Sequence, residues 1–260
     1  MVHVKAWGDD GALCVSEIKV TVTDTVVKDE DGSDSAGVSI PSDAKSNSSI
    51  QTHSNWKKVH DSDTPGKSTG DMDIVHSPSH GGSARKFVTH FSKSGGERYS
   101  DSFGEDTSAT NFVYDGWVYI AGSPSNLANI ELDLNQVLSD GDVMIYSFQC
   151  SGHSGKWEYG SNSGSIKHSH AKWVKSSVSC NPKDWKGDTW HHVQIAYSRE
   201  DSDITYKSIT FDGDEHTLNH KVLGRFHLGW DRVLQTNFQI DGIGSGSNTT
   251  YLDDLTVYRW

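Results

Sequence analysis

Apolar and polar residues alternate along most of the chain, while the three-and-four spacing of amphipathic helices is almost absent. Val2-His3-Val4-Lys5-Ala6-Trp7 alternates, Gly8-Asp9-Asp10-Gly11 reads as a turn, and Ile18-Lys19-Val20-Thr21-Val22-Thr23 alternates again. This predicts a β-hairpin within residues 1–27. Residues 28–50 are rich in Asp, Ser, Gly and Lys and carry no apolar stripe to offset ordering entropy, so they read as a linker. Strands are predicted at 54–60, 84–91, 96–103, 111–120, 127–137, 142–150, 171–179, 189–199, 204–211, 215–222, 234–241 and 250–259. Turn clusters such as Ser139-Asp140-Gly141-Asp142 and Asp212-Gly213-Asp214 separate them. Many short strands without helices predict an all-β sandwich of two antiparallel sheets over residues 51–260. No repeat of 20–50 residues points to a propeller or solenoid.

Strand parity then selects candidate chemistry. In Asn129-Ile-Glu-Leu-Asp-Leu-Asn135, Ile130, Leu132 and Leu134 are expected in the core, and Glu131, Asp133 and Asn135 together on the other face, in steps of about 7 Å. Folding back at 139–142 brings Ser147 and Gln149 beside Asp133 and Glu131. Trp117 and Tyr119 share one face of 111–120. In 189–198, His191, Val193, Ile195 and Tyr197 suit the core, while Trp190, His192 and Gln194 face away from it. Residues 150–173 read as a long loop in which Trp157 and Tyr159 are exposed platforms, whereas Trp173 and Trp185 are expected in the core. Carboxylates, amides, a histidine and flat rings on one face make an inventory suited to sugars.

Composition narrows the partners. A formal net charge of −12 disfavours nucleic acid, whose phosphates it would repel. No apolar run is long enough to span a bilayer. The 3 cysteines leave two readings open. One is a Cys150–Cys180 disulfide in an exported protein with Cys14 left over, and the other is three buried free thiols. The 14 histidines are scattered and read as surface residues.

Three segments in order carry a family resemblance. Thr189-Trp-His-His-Val-Gln-Ile-Ala-Tyr-Ser198 resembles the Trp-His-His-Val strand of laminin G-like domains. Ile209-Thr-Phe-Asp-Gly-Asp-Glu-His-Thr-Leu218 resembles the strand and Asp-Gly turn that follow it. Tyr251-Leu-Asp-Asp-Leu-Thr-Val-Tyr-Arg-Trp260 is similar to the closing strand. The resemblance is to the concanavalin A-like lectin and glucanase superfamily. It implies a jelly-roll sandwich over 51–260, sugar held on a concave face, and a structural calcium ion at Asp253. The stretch VKAWGDDGALCVSEIKVTVTD resembles the last strands of a bacterial immunoglobulin-like module. An isolated hairpin is marginal in water, so it is expected to pack on the main domain or pair with another chain.

Glu131-x-Asp133 also resembles the active strand of family 16 glycoside hydrolases, written Glu-x-Asp-x-Glu or Glu-x-Asp-x-x-Glu. That implies Glu131 as nucleophile and Asp133 as its helper, with a general acid at 135 or 136. Asn135 and Gln136 occupy those positions and cannot transfer a proton. A lyase would draw on Gln149, His153, His192 and Tyr119. The expected function is therefore a secreted or cell-surface module that binds a neutral glycan through Glu131, Asp133, Asn135, Gln149, Trp117, Tyr119, His192, Gln194 and Trp157. The alternatives are a polysaccharide-degrading hydrolase or lyase using Glu131 and Asp133, and a structural extracellular subunit that assembles by strand addition through the hairpin.

Overall fold

A computed structural model describes residues 2–7, 13–18 and 38–260. The chain forms two compact units, Met1–Ser35 and Ala36–Trp260. In the first, β1 (Val2–Trp7) pairs antiparallel with β2 (Leu13–Ile18), in a register that sets Trp7 against Leu13. The partner strand thus lies immediately after the connection, rather than at 18–23. Of that expected strand, residues 19–23 lie outside the described residues.

The second unit starts before residue 51. Lys45–Asn47 is a short strand, β3, inside the expected linker, and it pairs with the C-terminal strand. A single-turn 3-10 helix at Ile50–Thr52 follows. The remaining strands are β4 (Lys57–His60), β5 (Lys67–Val75), β6 (Ala84–Ser92), β7 (Gly96–Gly104), β8 (Asn111–Ile120), β9 (Leu127–Val137), β10 (Val143–Tyr146), β11 (Phe148–Ser151), β12 (Lys156–Asn162), β13 (Ala171–Ser179), β14 (Trp190–Glu200), β15 (Asp203–Phe211), β16 (Asp214–Leu223), β17 (Arg225–Phe226), β18 (Leu234–Gly242) and β19 (Gly246–Arg259).

They build two antiparallel sheets. The first runs β13-β12-β11-β9-β18-β7-β4, with β10 beside β9 and β17 beside β10. The second runs β16-β15-β14-β8-β19-β6-β5, with β3 beside β19. The architecture is the expected all-β, two-sheet jelly-roll sandwich. Ile130, Leu132, Leu134, Phe238 and Ile240 of the first sheet and Tyr114, Val118, Ile195 and Leu252 of the second are buried in the core between them. Strand alternation carries this core: each strand turns every second residue inward, and the other half faces out. Among the described residues no helix is long and apolar enough to cross a membrane.

Two expected assignments change inside this frame. Trp157 is no platform: it is 1% exposed and packs in the core against Phe148, Trp185 and Phe211. The segment read as a loop contains strand β12, and parity there sends Trp157 and Tyr159 inward and Glu158 outward. Trp173 reverses in the other direction. Its neighbour Val174 packs on the core, so Trp173 faces out. Trp185 is buried as expected. Cys150 on β11 is joined to Cys180, just after β13, with their Cα atoms 5.3 Å apart.

Candidate functional site, a cleft across the first sheet

The outer face of the first sheet forms a cleft of about 940 Å³. Ladder register fixes its floor. Glu131 on β9 lies opposite Gln149 on β11 and opposite Gln239 on β18. Gln149 is opposite Glu158 on β12, which is opposite Lys175 on β13, and Gln239 is opposite Arg98 on β7. One row therefore crosses six strands as Lys175, Glu158, Gln149, Glu131, Gln239 and Arg98. The neighbouring row sets Asp133 against Asn237. Directly opposed residues share a face, so these side chains all point into the cleft.

Several side chains are locked by their neighbours. Gln149 Nε2 donates to Glu158 Oε2 at 2.7 Å, and Asn237 Nδ2 to Asp133 Oδ2 at 3.3 Å. Gln239 Nε2 bridges Asp61 Oδ2 at 3.2 Å and Asp241 Oδ1 at 3.1 Å, and Asn129 Nδ2 donates to Asp241 Oδ2 at 3.0 Å. Asn135 Nδ2 donates to Gln235 Oε1 at 3.3 Å. Burial pushes Glu131 well above the usual carboxylate range, and the adjacent Asp133, hydrogen-bonded to it, raises it further, with Asp241 and Asp61 adding to the effect. Burial also raises Asp133, against which bonds from Glu131, Asn237 and the Phe148 backbone and the charge of Arg98 favour its ionised form. Glu131 is thus the member of the pair whose ionised form is the more disfavoured. Asp133 is 4% exposed, and its Oδ1 has no hydrogen-bond partner among the described residues.

The walls are aromatic. Trp173 stands on β13 opposite Gly160. A Cβ at Gly160 would lie 2.7 Å from the Ser147 Cβ, so glycine keeps the floor open between Ser147 and Trp173. On the rim, Leu228 and Trp230 are 40% and 39% exposed on either side of Gly229, whose positive φ of 67° makes the turn. The rim strand is anchored beneath them: Asp142 accepts from Arg225 Nε at 2.7 Å and pairs with His227 Nδ1 at 2.6 Å. His153 also lines the cleft.

The expected site residues divide between the two sheets. Glu131, Asp133, Asn135 and Gln149 lie together in the cleft. Trp117, Tyr119, His192 and Gln194 lie on the outer face of the opposite sheet, separated from the cleft by the core, because β8 and β14 belong to that sheet. There they hold one another. Trp117 is stacked between His80 at 3.8 Å and His192 at 4.8 Å, His192 Nε2 pairs with Asp115 at 3.0 Å, and Gln194 donates to Asp115 at 2.6 Å. Tyr119 donates to Asp188 at 3.2 Å. Trp173, Trp230, Arg98, Asn237, Gln239 and Asp241 were missed as site residues. Parity on β18 contains the signal for three of them, but nothing in a single strand's pattern says which strand lies beside β9.

Gln136 faces away from the cleft. Its Nε2 donates to the carbonyls of Asp106 and Ala109 at 2.8 and 2.9 Å, and its Oε1 accepts from Tyr146 and Arg199 at 3.1 and 2.9 Å. Asp253 is fully buried, and four N–H groups reach its two oxygens. Oδ1 accepts from Gln51 Nε2 at 2.9 Å and Asp254 N at 2.8 Å, Oδ2 from His80 N at 2.6 Å and Gly81 N at 3.0 Å. A carboxylate ringed by donors does not fit a calcium ion, which needs free oxygens. Among the described residues no group of three or more His, Cys, Asp or Glu side chains is arranged to hold a metal ion.

No protein-family model matches the sequence. No curated protein matches it. Solved structures do align with it. Cellulose induced protein Cip1 is 10% identical, with a TM-score of 0.49 over 81% of this chain and 96% of its own. A family 11 carbohydrate-binding module from Clostridium thermocellum, in complex with a β-1,3-1,4-mixed-linked tetrasaccharide, is 11% identical, with a TM-score of 0.40 over 82% and 94%. The alginate lyase vAL-1 from Chlorella virus is 13% identical, with a TM-score of 0.44 over 73% and 89%.

Proposed function

We propose that the cleft of the first sheet binds a glycan chain that carries no acidic groups and does not cleave it. The row from Lys175 to Arg98 carries this reading: amides and carboxylates in register across six strands, under the rings of Trp173 and Trp230. Planar polar groups pair with vicinal hydroxyls, and exposed rings cover the apolar face of a sugar. Six carboxylates against three cations among the lining residues disfavour a polyuronate.

The carboxyl pair argues against hydrolysis. A retaining glycosidase holds its two acids about 5–5.5 Å apart, and an inverting one holds them further apart, with the scissile bond between them. Glu131 and Asp133 stand side by side on one face of β9, and neither faces the other across the cleft. Position 135 is an amide, and Gln136 is committed to Arg199 on the core side. The Cys150–Cys180 bridge supports an extracellular location, since such bonds persist in oxidising compartments. Incubation with a panel of neutral polysaccharides, followed for both retention and release of reducing or unsaturated ends, tests the reading. Retention without product is expected, and product formation abolished by Glu131→Gln would overturn it in favour of an enzyme.

A further inference from the structure

We infer that the centre of the cleft receives the free amine of an amino sugar, so that the preferred ligand is a glycan with unacetylated glucosamine-type residues. This rests on the reading of the cleft as a glycan site. Three observations lead to it. First, Asp133, Asp241 and Asp61 all lie within electrostatic reach of Glu131, and each disfavours its ionisation. Secondly, the amides of the floor direct N–H groups at the carboxyl groups of the floor. Asn129 and Gln239 donate to Asp241, Gln239 also to Asp61, Asn237 to Asp133, and Gln149 to Glu158. Thirdly, Asp133 and Asn135 are 4% and 1% exposed, yet the Oδ1 atom of each has no partner among the hydrogen bonds of the described residues, as is also true of Asn129 Oδ1. The centre of the floor thus gathers four carboxyl groups, those of Glu131, Asp133, Asp241 and Asp61, and three oxygens without a donor.

Such a floor selects a donor-bearing ligand, and an ammonium group supplies three donors and the missing charge. It would also favour the ionised form of Glu131, which burial and the neighbouring carboxyl groups disfavour, and so complete a counter-ion. The cations of the cleft do not already fill this role. At about 4.8 Å per strand, Arg98 originates two strands, or roughly 10 Å, from Glu131 on one side, and Lys175 three strands, or roughly 14 Å, on the other. Arg98 reaches Asp133 only electrostatically, and Lys172 lies on the same outer strand as Lys175. The charge pattern across the cleft is therefore negative at the centre and positive at both ends.

Calorimetric titration at about pH 6, where a free amine is charged, tests this with three oligosaccharides of equal length: a glucosamine oligomer, its fully N-acetylated counterpart and an uncharged glucan. The glucosamine oligomer should bind about tenfold or more tightly than the acetylated one, a difference of about 1.4 kcal/mol. Asp61→Asn and Asp241→Asn should each reduce that preference to about threefold or less, while Asp214→Asn, at the exposed start of β16 on the opposite sheet, should leave it unchanged. Equal affinity for all three oligomers overturns the amine assignment and leaves the glycan site standing. Equal loss of preference in Asp214→Asn also overturns it, because attraction to the acidic chain as a whole would then suffice. Failure of all three to bind overturns the glycan site as well.

Discussion

Glu131 and Asp133, two residues apart on β9, share the cleft floor, where burial and the adjacent Asp133 hold Glu131 well above the usual carboxylate range. The folded protein therefore holds this proton to a higher pH than the unfolded chain does. The sign follows from the raised value. Below the ordinary glutamate value of about 4.3 both states are protonated and folding bears no penalty. Above it, the penalty grows until pH passes the raised value in the folded protein. Glu131→Gln removes this term. Thermal melts should show the variant gaining stability over the wild type as pH rises from 4 to 8, and a difference independent of pH would contradict the raised value of Glu131.

Trp157 and Trp230 should separate stability from binding. Trp157→Ala empties the core and should cost about 3–5 kcal/mol of unfolding free energy in denaturant titrations. Trp230→Ala removes an exposed ring and should leave stability within about 0.5 kcal/mol while weakening retention on polysaccharide. A Trp230→Ala protein that binds as well as the wild type would remove the rim from the site.

The Asp253 carboxylate should act as a structural hub without a metal. A chelator should leave the melting temperature unmoved. Asp253→Ala removes the acceptor of the His80, Gly81 and Asp254 backbone N–H groups and one of the two acceptors of Gln51 Nε2, and a buried donor left unpaired costs on the order of 1–3 kcal/mol, so the variant should be destabilised. A fall in melting temperature on chelation, reversed by added calcium, would restore calcium to this loop.

Reduction should lower stability by about 3–4 kcal/mol, the loop-closure estimate for cysteines 30 residues apart. Alkylation under native, non-reducing conditions should modify no more than one cysteine, as judged by intact mass. Modification of Cys150 or Cys180 would show that the bridge is absent in solution.

Much of the fold was legible because alternation is the signature of a sheet with one buried face. All twelve expected strands overlap observed ones, and Ile130, Leu132 and Leu134 point inward as read. β5 was missed because its edge position leaves Lys67, Thr69, Asp71 and Asp73 exposed and breaks the apolar rhythm. β12 was missed because glycines and serines flank its short Trp-Glu-Tyr core. The site was legible only along each strand. Parity correctly grouped Glu131, Asp133 and Asn135, and the tight turn at 139–142 placed Gln149 beside them. It could not tell that β8 and β14 belong to the other sheet, because sheet membership is decided by long-range pairing between strands far apart in sequence. Trp117 and His192 were therefore grouped with residues on the far side of the core. Trp230 lies between strands, where no periodicity points at it.

The central claim is that the cleft of the first sheet, and not the opposite face, holds the glycan. Affinity electrophoresis through gels containing neutral polysaccharides tests this with the wild type, a Trp173→Ala/Trp230→Ala variant and a Trp117→Ala variant side by side. The account expects at least one polysaccharide to retard the wild type and Trp117→Ala alike and to leave the cleft variant unretarded. Retardation that survives in the cleft variant and disappears in Trp117→Ala would contradict it.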